Sequence, residues 1–329
     1  MPPHIHISVD RLRRRRSTPP SKKPVGDGKA CKACGAHFRA EELERNWGVC
    51  TTCDHHFPVS SSERITQLAD GDEWRELWSE LAATDPLRFT DLVPYTERVE
   101  QAEAKGVREA LVVGELSVQG VPSLAAVMDF GFLGGSMGSV VGEKFARAAD
   151  RCVETGRPLI VITASGGARM QEGVIALMQM AKTVVAIDDL REAAIPVVVV
   201  LAHPTTGGVW ASFASMGDFT YAEPGALIAF SGPRVIEQTT REKLPPEFGL
   251  AESQLENGQV DAVVDRRELP GRIGSVLNIL DRPRADIDDG AGRIARQGRE
   301  RASRAAQALP KLSRRLRGRL GTGSDGGAE

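Results

Sequence analysis

Four cysteines are the first residues in this chain whose spacing implies chemistry. Cys31 and Cys34 make one Cys-x2-Cys knuckle, and Cys50 and Cys53 make a second after fifteen intervening residues. Each knuckle offers two thiolates, and four thiolates fill the tetrahedral shell of a zinc ion. A filled shell leaves no position for a substrate, so the expected role is to fold a small module. A pair of redox dithiols is the alternative, and the doubled spacing argues for the metal. His55 and His56 follow at once and are expected at the surface, because four sulfurs already satisfy an ion. Cys152 stands alone.

A second chemistry belongs to glycine turns. Ser165-Gly166-Gly167-Ala168-Arg169 follows the apolar run at 158–164. Thr205-Thr206-Gly207-Gly208 follows the apolar run at 196–202, with His203 and Pro204 between. Gly134-Gly135-Ser136-Met137-Gly138 is a third turn and opens a helix expected to reach about Glu154. Paired glycines after a strand let backbone N–H groups face a ligand with no Cβ in the way. A following helix adds free donors and the positive end of its dipole. Such a place suits an oxyanion: a thioester enolate, a tetrahedral intermediate or a phosphate. The alternative is that the glycines serve close packing alone. Gly134, Gly135 and Arg169 are candidate substrate contacts, Arg169 for an anionic group. Glu172 complements the dipole of its helix, and His203 either reaches a ligand or packs the turn.

Neither the turn at 165–169 nor that at 205–208 matches G-x-x-x-x-G-K-[ST] or G-x-G-x-x-G, so a nucleotide loop is not supported there, and the chain holds no H-E-x-x-H motif. Gly134–Gly138 spells G-x-S-x-G, but no histidine is recognisably placed to activate a serine, so a nucleophile elbow is not supported either. Backbone donors without a side-chain base fit a reaction in which a cofactor or substrate handles the proton.

The elements that must hold these turns can be read from periodicity. Residues 62–104 look helical, with Ile65, Leu68, Trp74, Leu77, Trp78 and Leu81 at helix-like intervals up to Pro86 and Pro94. Two strand-like runs at 110–118 and 123–130 flank Gly120-Val121-Pro122 and predict a hairpin. The runs 158–164, 196–202 and 226–230 predict buried strands. Met170, Val174, Leu177, Met178, Ala181, Val184 and Val185 predict a long helix with one apolar face. Continuously apolar strands alternating with helices imply an α/β fold with a parallel sheet covered on both faces.

Composition fits a globular body, at 41% hydrophobic and 26% charged. The net charge of −2 conceals basic tails on an acidic middle: residues 1–30 carry +6, residues 291–320 carry +9, and residues 31–290 carry −15. Such tails either contact an anionic partner such as nucleic acid or are solvated. The expected organisation is a disordered basic segment at 1–29, a cysteine module at 30–57, a main domain at 58–281 and a basic, disordered tail at 282–329. No apolar run approaches the ~18–20 residues of a membrane span. No apolar segment follows Arg13–Arg16, so no secretory signal is expected. The cysteine usage suits a reducing compartment, and the cytoplasm is expected.

The motifs CKACG…CTTCDHH, MDFGFLGGSMGSVVGEKF, ASGGARMQEG, LMQMAKT, PTTGG and FSGPRVIEQTTREKLPPEFG together resemble the beta subunit of bacterial acetyl-CoA carboxylase carboxyltransferase, over about residues 30–280. The resemblance implies a crotonase-like fold of ββα units bearing an N-terminal four-cysteine zinc ribbon. It implies an alpha-subunit partner, usually as α2β2, with the active site between the two. It also implies transfer of the carboxyl group of carboxybiotin, on the biotin carboxyl carrier protein, to acetyl-CoA, giving malonyl-CoA for fatty acid synthesis. A separate biotin carboxylase uses the ATP. The family's oxyanion position falls on Gly207 and Gly208, with Gly166 and Gly167 on the second loop facing the thioester. Two other readings remain at this point. One is a zinc-ribbon nucleic-acid-binding or regulatory protein. The other is a carboxyltransferase for another acyl-CoA, such as propionyl-CoA.

Overall fold

The computed structural model describes residues 28–280, apart from Asp72 and Lys105. The expectations for the basic tails therefore lie outside the described residues, except at 28–29. A small ribbon comes first, with β1 (Lys29–Ala30), β2 (His37–Phe38) and α1 (Ala40–Arg45). Lys29 pairs with Phe38, so the ribbon starts slightly before residue 30. The main body begins with α2 (Ser61–Leu68), β3 (Arg75–Leu77), α3 (Tyr95–Glu103), β4 (Leu111–Val118) and β5 (Val121–Met128). Next come α4 (Ser139–Thr155), β6 (Leu159–Ser165), α5 (Gly173–Glu192), β7 (Val197–Thr206) and α6 (Gly207–Trp210). The body ends with β8 (Phe219–Ala222), β9 (Ile228–Ala229), α7 (Pro233–Thr240), α8 (Ala251–Glu256), β10 (Ala262–Val263) and α9 (Leu269–Leu280).

Eight strands form one sheet in the order β10-β8-β7-β6-β5-β4-β3, with β9 paired to the end of β7. The pairings from β5 to β8 and on to β10 are parallel, while β4 and β3 join antiparallel. Along β6, Leu159 and Val161 enter the core under α4 and α5, while Ile160 and Ile162 enter a second core with Ile65 of α2 and Ile273 of α9. Strand side chains alternate faces, and here both faces are buried, which is why these strands read as unbroken apolar runs. Among the described residues no helix is long and apolar enough to cross a membrane.

Several expectations need correction. The helical reading of 62–104 holds only for α2 and α3. Between them β3 pairs with β4, and the Trp74 ring lies so close to Gly114 that a Cβ there would sit 2.5 Å from it. Edge pairing overrides the helix-like spacing. The hairpin turns at Gln119-Gly120, both at positive φ, rather than at Gly120-Val121-Pro122. Strand β7 runs on through His203 to Thr206, so the second turn is shorter than read. Run 226–230 supplies only β9, and β8 went unread. Met170, read as part of the long helix, lies in the turn before it, and the apolar stripe of the helix itself faces outward: Met170, Val174, Leu177, Met178 and Val185 are 56–66% exposed. The inward face of α5 is Ala176, Gln179, Thr183, Ile187 and Leu190, mostly smaller or polar, because α4 packs closely at Gly142.

One buried carboxylate joins ribbon to body. Glu223, at the end of β8, accepts from Arg266 Nε and Nη2, each at 2.8 Å, and from Arg64 of α2. Arg266 also donates to the ribbon carbonyls of Trp47 (3.0 Å) and Gly48 (3.4 Å). Burial opposes ionisation of Glu223, but the two guanidinium groups hold its pKa well below 4.5. Its contribution to stability is therefore complete above the unfolded value and disappears as pH falls through the native one. Glu223→Gln should cost about 3–5 kcal/mol at pH 7, as when one partner of a buried ion pair is removed. Urea denaturation down the acid limb should show that deficit shrinking, and a deficit that stays constant with pH would contradict this account.

Candidate active site

The turns after β6 and β7 meet at the carboxyl ends of adjacent parallel strands, where open α/β sheets form ligand crevices. Ser165 is in register with Thr205, and the Thr163 and Thr205 hydroxyls hydrogen-bond at 2.7 Å just below. Gly167 (φ +116) and Gly207 (φ +61) then touch backbone to backbone. A Cβ on Gly207 would lie 3.0 Å from Gly167 Cα, and one on Gly167 would lie 3.2 Å from Gly207 Cα. Both positions exclude side chains by conformation and by space.

The N–H groups of these turns are not equivalent. Gly166 donates to Gly134 O (2.9 Å), Gly167 to Ser165 Oγ (3.0 Å) and Gly207 to Phe230 O (3.0 Å). Among the described residues the Gly208 N–H has no acceptor, as befits the first turn of α6. Ala168 N–H is likewise without one, since the bridge between Met137 and Ala168 uses Met137 N, Gly167 O, Arg169 N and Met137 O. A Cβ on Gly208 would lie 3.4 Å from Ala168 Cβ, so the two free donors sit on adjoining backbone. Sequence reasoning passed over Ala168 because an alanine in a glycine turn carries no signal. Gly135 is buried against Ala164 O, and Gly134 O receives Gly166 N–H, so both act as neighbours that shape the turn.

Arg169 does not face a substrate. It is 0% exposed, and its guanidinium reaches Glu109, Glu172 Oε1 (3.2 Å), Tyr95 OH (3.2 Å), Ser136 Oγ (3.2 Å) and Ser136 O (2.7 Å). Burial works against its charge, but Glu109 outweighs burial and raises its pKa. Glu172 in turn accepts from Tyr95 OH (2.9 Å) and from Ser139 N (2.6 Å) at the start of α4. Nearby Lys144, 2% exposed, donates to Leu111 O at 3.2 Å. Burial lowers its pKa while Glu76 and Glu109 oppose that shift. Two buried cations thus stand beside two buried carboxylates.

The four cysteine sulfurs lie within 4.8 Å of one another, with Cys31–Cys53 and Cys34–Cys50 at 3.7 Å and Cys50–Cys53 at 3.5 Å. None of the four cysteines forms a disulfide, and the set of four sulfurs fits a metal ion. His56 is not at the surface as expected. It is 5% exposed, with Nδ1 3.6 Å from Glu223 and Nε2 3.5 Å from Asp265, because the ribbon docks on the body through it. The chain after the second knuckle roofs the strand ends. A cavity of ≈ 20 Å³ is enclosed by Phe57, Val59, Phe130, Ala164, Ala202 and His203, among others.

Residues 85–274 match the carboxyl transferase domain family. The chain is 48% identical over 266 residues to the acetyl-coenzyme A carboxylase carboxyl transferase subunit beta of Pelobacter propionicus, covering 80% of this chain and 94% of that protein. It belongs to this carboxyl transferase beta-subunit family. The same subunit from Citrifermentans bemidjiense is 46% identical over 263 residues, with 80% and 93% covered. The Pseudomonas malonate decarboxylase hetero-dimer shares 25% identity at a TM-score of 0.53, covering 73% of this chain and 95% of that one. Transcarboxylase 12S, solved with methylmalonyl-coenzyme A bound, shares the fold at 24% identity and a TM-score of 0.57, over 72% of this chain and 42% of that one. The crotonase-like α/β fold and the four-cysteine module implied by the motifs therefore hold for this carboxyl transferase chain.

In this chain Arg169 organises the turns from inside. Arg169→Met would leave Glu109 and Glu172 buried without their cation and should lower stability by about 3–5 kcal/mol. Chemical denaturation checks it, and a loss below about 1 kcal/mol, typical of surface pairs, would remove Arg169 from this role.

Proposed function

We propose that this chain is the beta subunit of an acetyl-CoA carboxylase carboxyltransferase. With an alpha subunit it transfers the carboxyl group of carboxybiotin, on the biotin carboxyl carrier protein, to the methyl carbon of acetyl-CoA, giving malonyl-CoA. The observation that carries this reading is the pair of free N–H donors of Ala168 and Gly208, side by side at the strand ends. Loss of a methyl proton from a thioester places negative charge on the carbonyl oxygen, and preorganised backbone donors stabilise that charge without reorganising. Gly166, Gly167 and Gly207 then shape the hole, and Gly208 donates into it. Carboxybiotin on the carrier would supply the carboxyl group and, once its N–C bond is broken, a basic nitrogen for the methyl proton, while the methyl carbon held as enolate at these donors would bond to the released carboxyl carbon. A separate biotin carboxylase recharges the carrier. The preference for acetyl over propionyl follows the relatives' names, since one methylene is worth only ~1–3 kcal/mol in a pocket.

The cysteine site is assigned to zinc, held by Cys31, Cys34, Cys50 and Cys53. Sulfurs at about 2.3 Å from a tetrahedral centre are about 3.8 Å apart, close to the spacing present here. The ion contributes folding of the roof and no reaction step. The alpha subunit is assigned to the outward stripe of α5. That stripe adjoins the site, because Met180 of the same helix lies against Gly208. Apolar side chains this exposed and contiguous mark an interaction surface.

Co-purified with its alpha subunit, the chain should make malonyl-CoA from acetyl-CoA and carboxybiotin, and an inactive pair would overturn the assignment. Gly208→Pro deletes one donor at a helix start, where proline is tolerated. It should lower kcat about 10²–10³-fold, and turnover within a few-fold of the parent would remove the oxyanion role. Leu177→Asp with Met178→Asp should abolish co-purification while the thermal midpoint of the isolated chain stays unchanged. Retained co-purification would place the partner elsewhere.

A further inference from the structure

A cavity of ≈ 690 Å³ lies between α2, β3 and the chain that enters β4. Its lining includes Ile65, Trp74, Arg108, Glu109, Asp129 and Lys144, and none of the glycines of the crevice turns. Pockets for small molecules are clefts of about 300–1,000 Å³, mostly apolar, with a few convergent polar groups. Ile65 and the half-buried Trp74 give the apolar wall here, and the Trp74 ring is fixed against Gly114. The polar group that stands out is Lys144 of α4. It is 2% exposed, and its ammonium has a single hydrogen-bond acceptor, Leu111 O at 3.2 Å. Among the described residues it forms no ion pair. An ammonium offers three donors and no acceptor, so most of its bonding capacity is unused. Buried charges are ordinarily paired, which makes a lysine in this state unusual.

The buried carboxylates of the lining are committed elsewhere. Glu109 accepts the Ala110 N–H at 2.7 Å and is held by Arg169. Asp129 accepts from the Ser61 N–H, the Ser61 hydroxyl and the Gly131 N–H, each at 2.8 Å. Glu76, exposed on β3, is the lining carboxylate left over. Arg108 is a second lining cation, exposed and without an ion pair among the described residues. Lys144 and Arg108 set against Glu76 leave the lining with one positive charge in excess. That balance suits a ligand with a single negative charge. Burial disfavours the charge on Lys144, and an anion in contact would relieve that cost.

We propose that this cavity is a binding site for a small monocarboxylate with an apolar body. The carboxylate accepts from Lys144 and Arg108, and the apolar body lies against Trp74 and Ile65. Charge-assisted hydrogen bonds of this kind are the strong ones, and the apolar wall adds area removed from water. The site is separate from the glycine crevice and does not depend on the carboxyltransferase reading. Glu109 is the residue the two have in common, since it lines the cavity and also holds Arg169. A molecule bound there rests against the charge cluster that fixes the glycine turns.

The test is calorimetric titration of the full chain with 4-phenylbutyrate, using its neutral amide, 4-phenylbutyramide, as the control. The acid should bind saturably, and the amide about tenfold more weakly, the scale of one hydrogen bond to a charged group. Lys144→Met should weaken binding of the acid about tenfold and leave the amide unchanged. Arg108→Glu, at an exposed position, is a second variant that does not rely on the buried lysine. It should weaken the acid several-fold with no shift in the thermal midpoint. Absence of binding by the parent chain, or equal binding of acid and amide, would overturn the proposal. Unchanged affinity for the acid in Arg108→Glu, or in a folded Lys144→Met, would overturn it as well. Excess acetyl-CoA should leave the affinity for 4-phenylbutyrate as it was. Displacement of the acid by acetyl-CoA would make the cavity part of the substrate crevice and would also overturn the proposal.

Discussion

A guanidinium shut away from water must direct its donors at the protein around it, and Arg169 does so at the centre of this molecule. Its partners come from four separate stretches: Tyr95 from α3, Glu109 before β4, Ser136 between β5 and α4, and Glu172 before α5. Through Glu172 the cluster also fixes the first N–H of α4. The loops that border the crevice are thus tied to one buried charge rather than to one another. Donors that must meet a developing oxyanion need to be in place beforehand, and a rigid anchor of this kind supplies that preorganisation.

The glycine contacts complete the constraint from outside. Gly167 and Gly207 let two strand ends approach until their backbones touch. That approach brings the unused N–H groups of Ala168 and Gly208 onto adjoining backbone. A side chain at either touching glycine would separate the loops, even though neither of those two N–H groups is itself free. Glycine serves here through absence of bulk and through backbone sign at two positions, and through an available donor at a third.

Much of this was legible from residues alone, and the failures have physical causes. The strands β5, β6 and β7 announced themselves as apolar runs because both faces of the sheet are covered. The cysteine spacing identified the ribbon, since four sulfurs at two knuckles have few other uses. Trp74, Leu77 and Trp78 misled because their spacing mimics a helix while their burial comes from edge pairing beside β4. Arg169 was misread because an arginine after a glycine turn looks free until two glutamates, Glu109 and Glu172, are brought to it by the fold. His56 was misread for a similar reason, since its partner Glu223 is far along the chain. Ala168 was invisible because its contribution lies wholly in its backbone. The α5 stripe was read as one apolar face and nothing more, because periodicity shows that a face exists and not what covers it.

That stripe has a consequence for how the chain can exist by itself. Val174, Leu177, Met178 and Val185 lie on one face of α5, Met170 lies in the turn just before it, and each is more than half exposed. A patch of that kind favours contact with any apolar surface it meets, including another copy of itself. Produced in excess, the chain is therefore prone to self-association, and the yield of soluble material becomes a measure of how much of this helix is covered. The fold can be complete in one polypeptide while its surface is not.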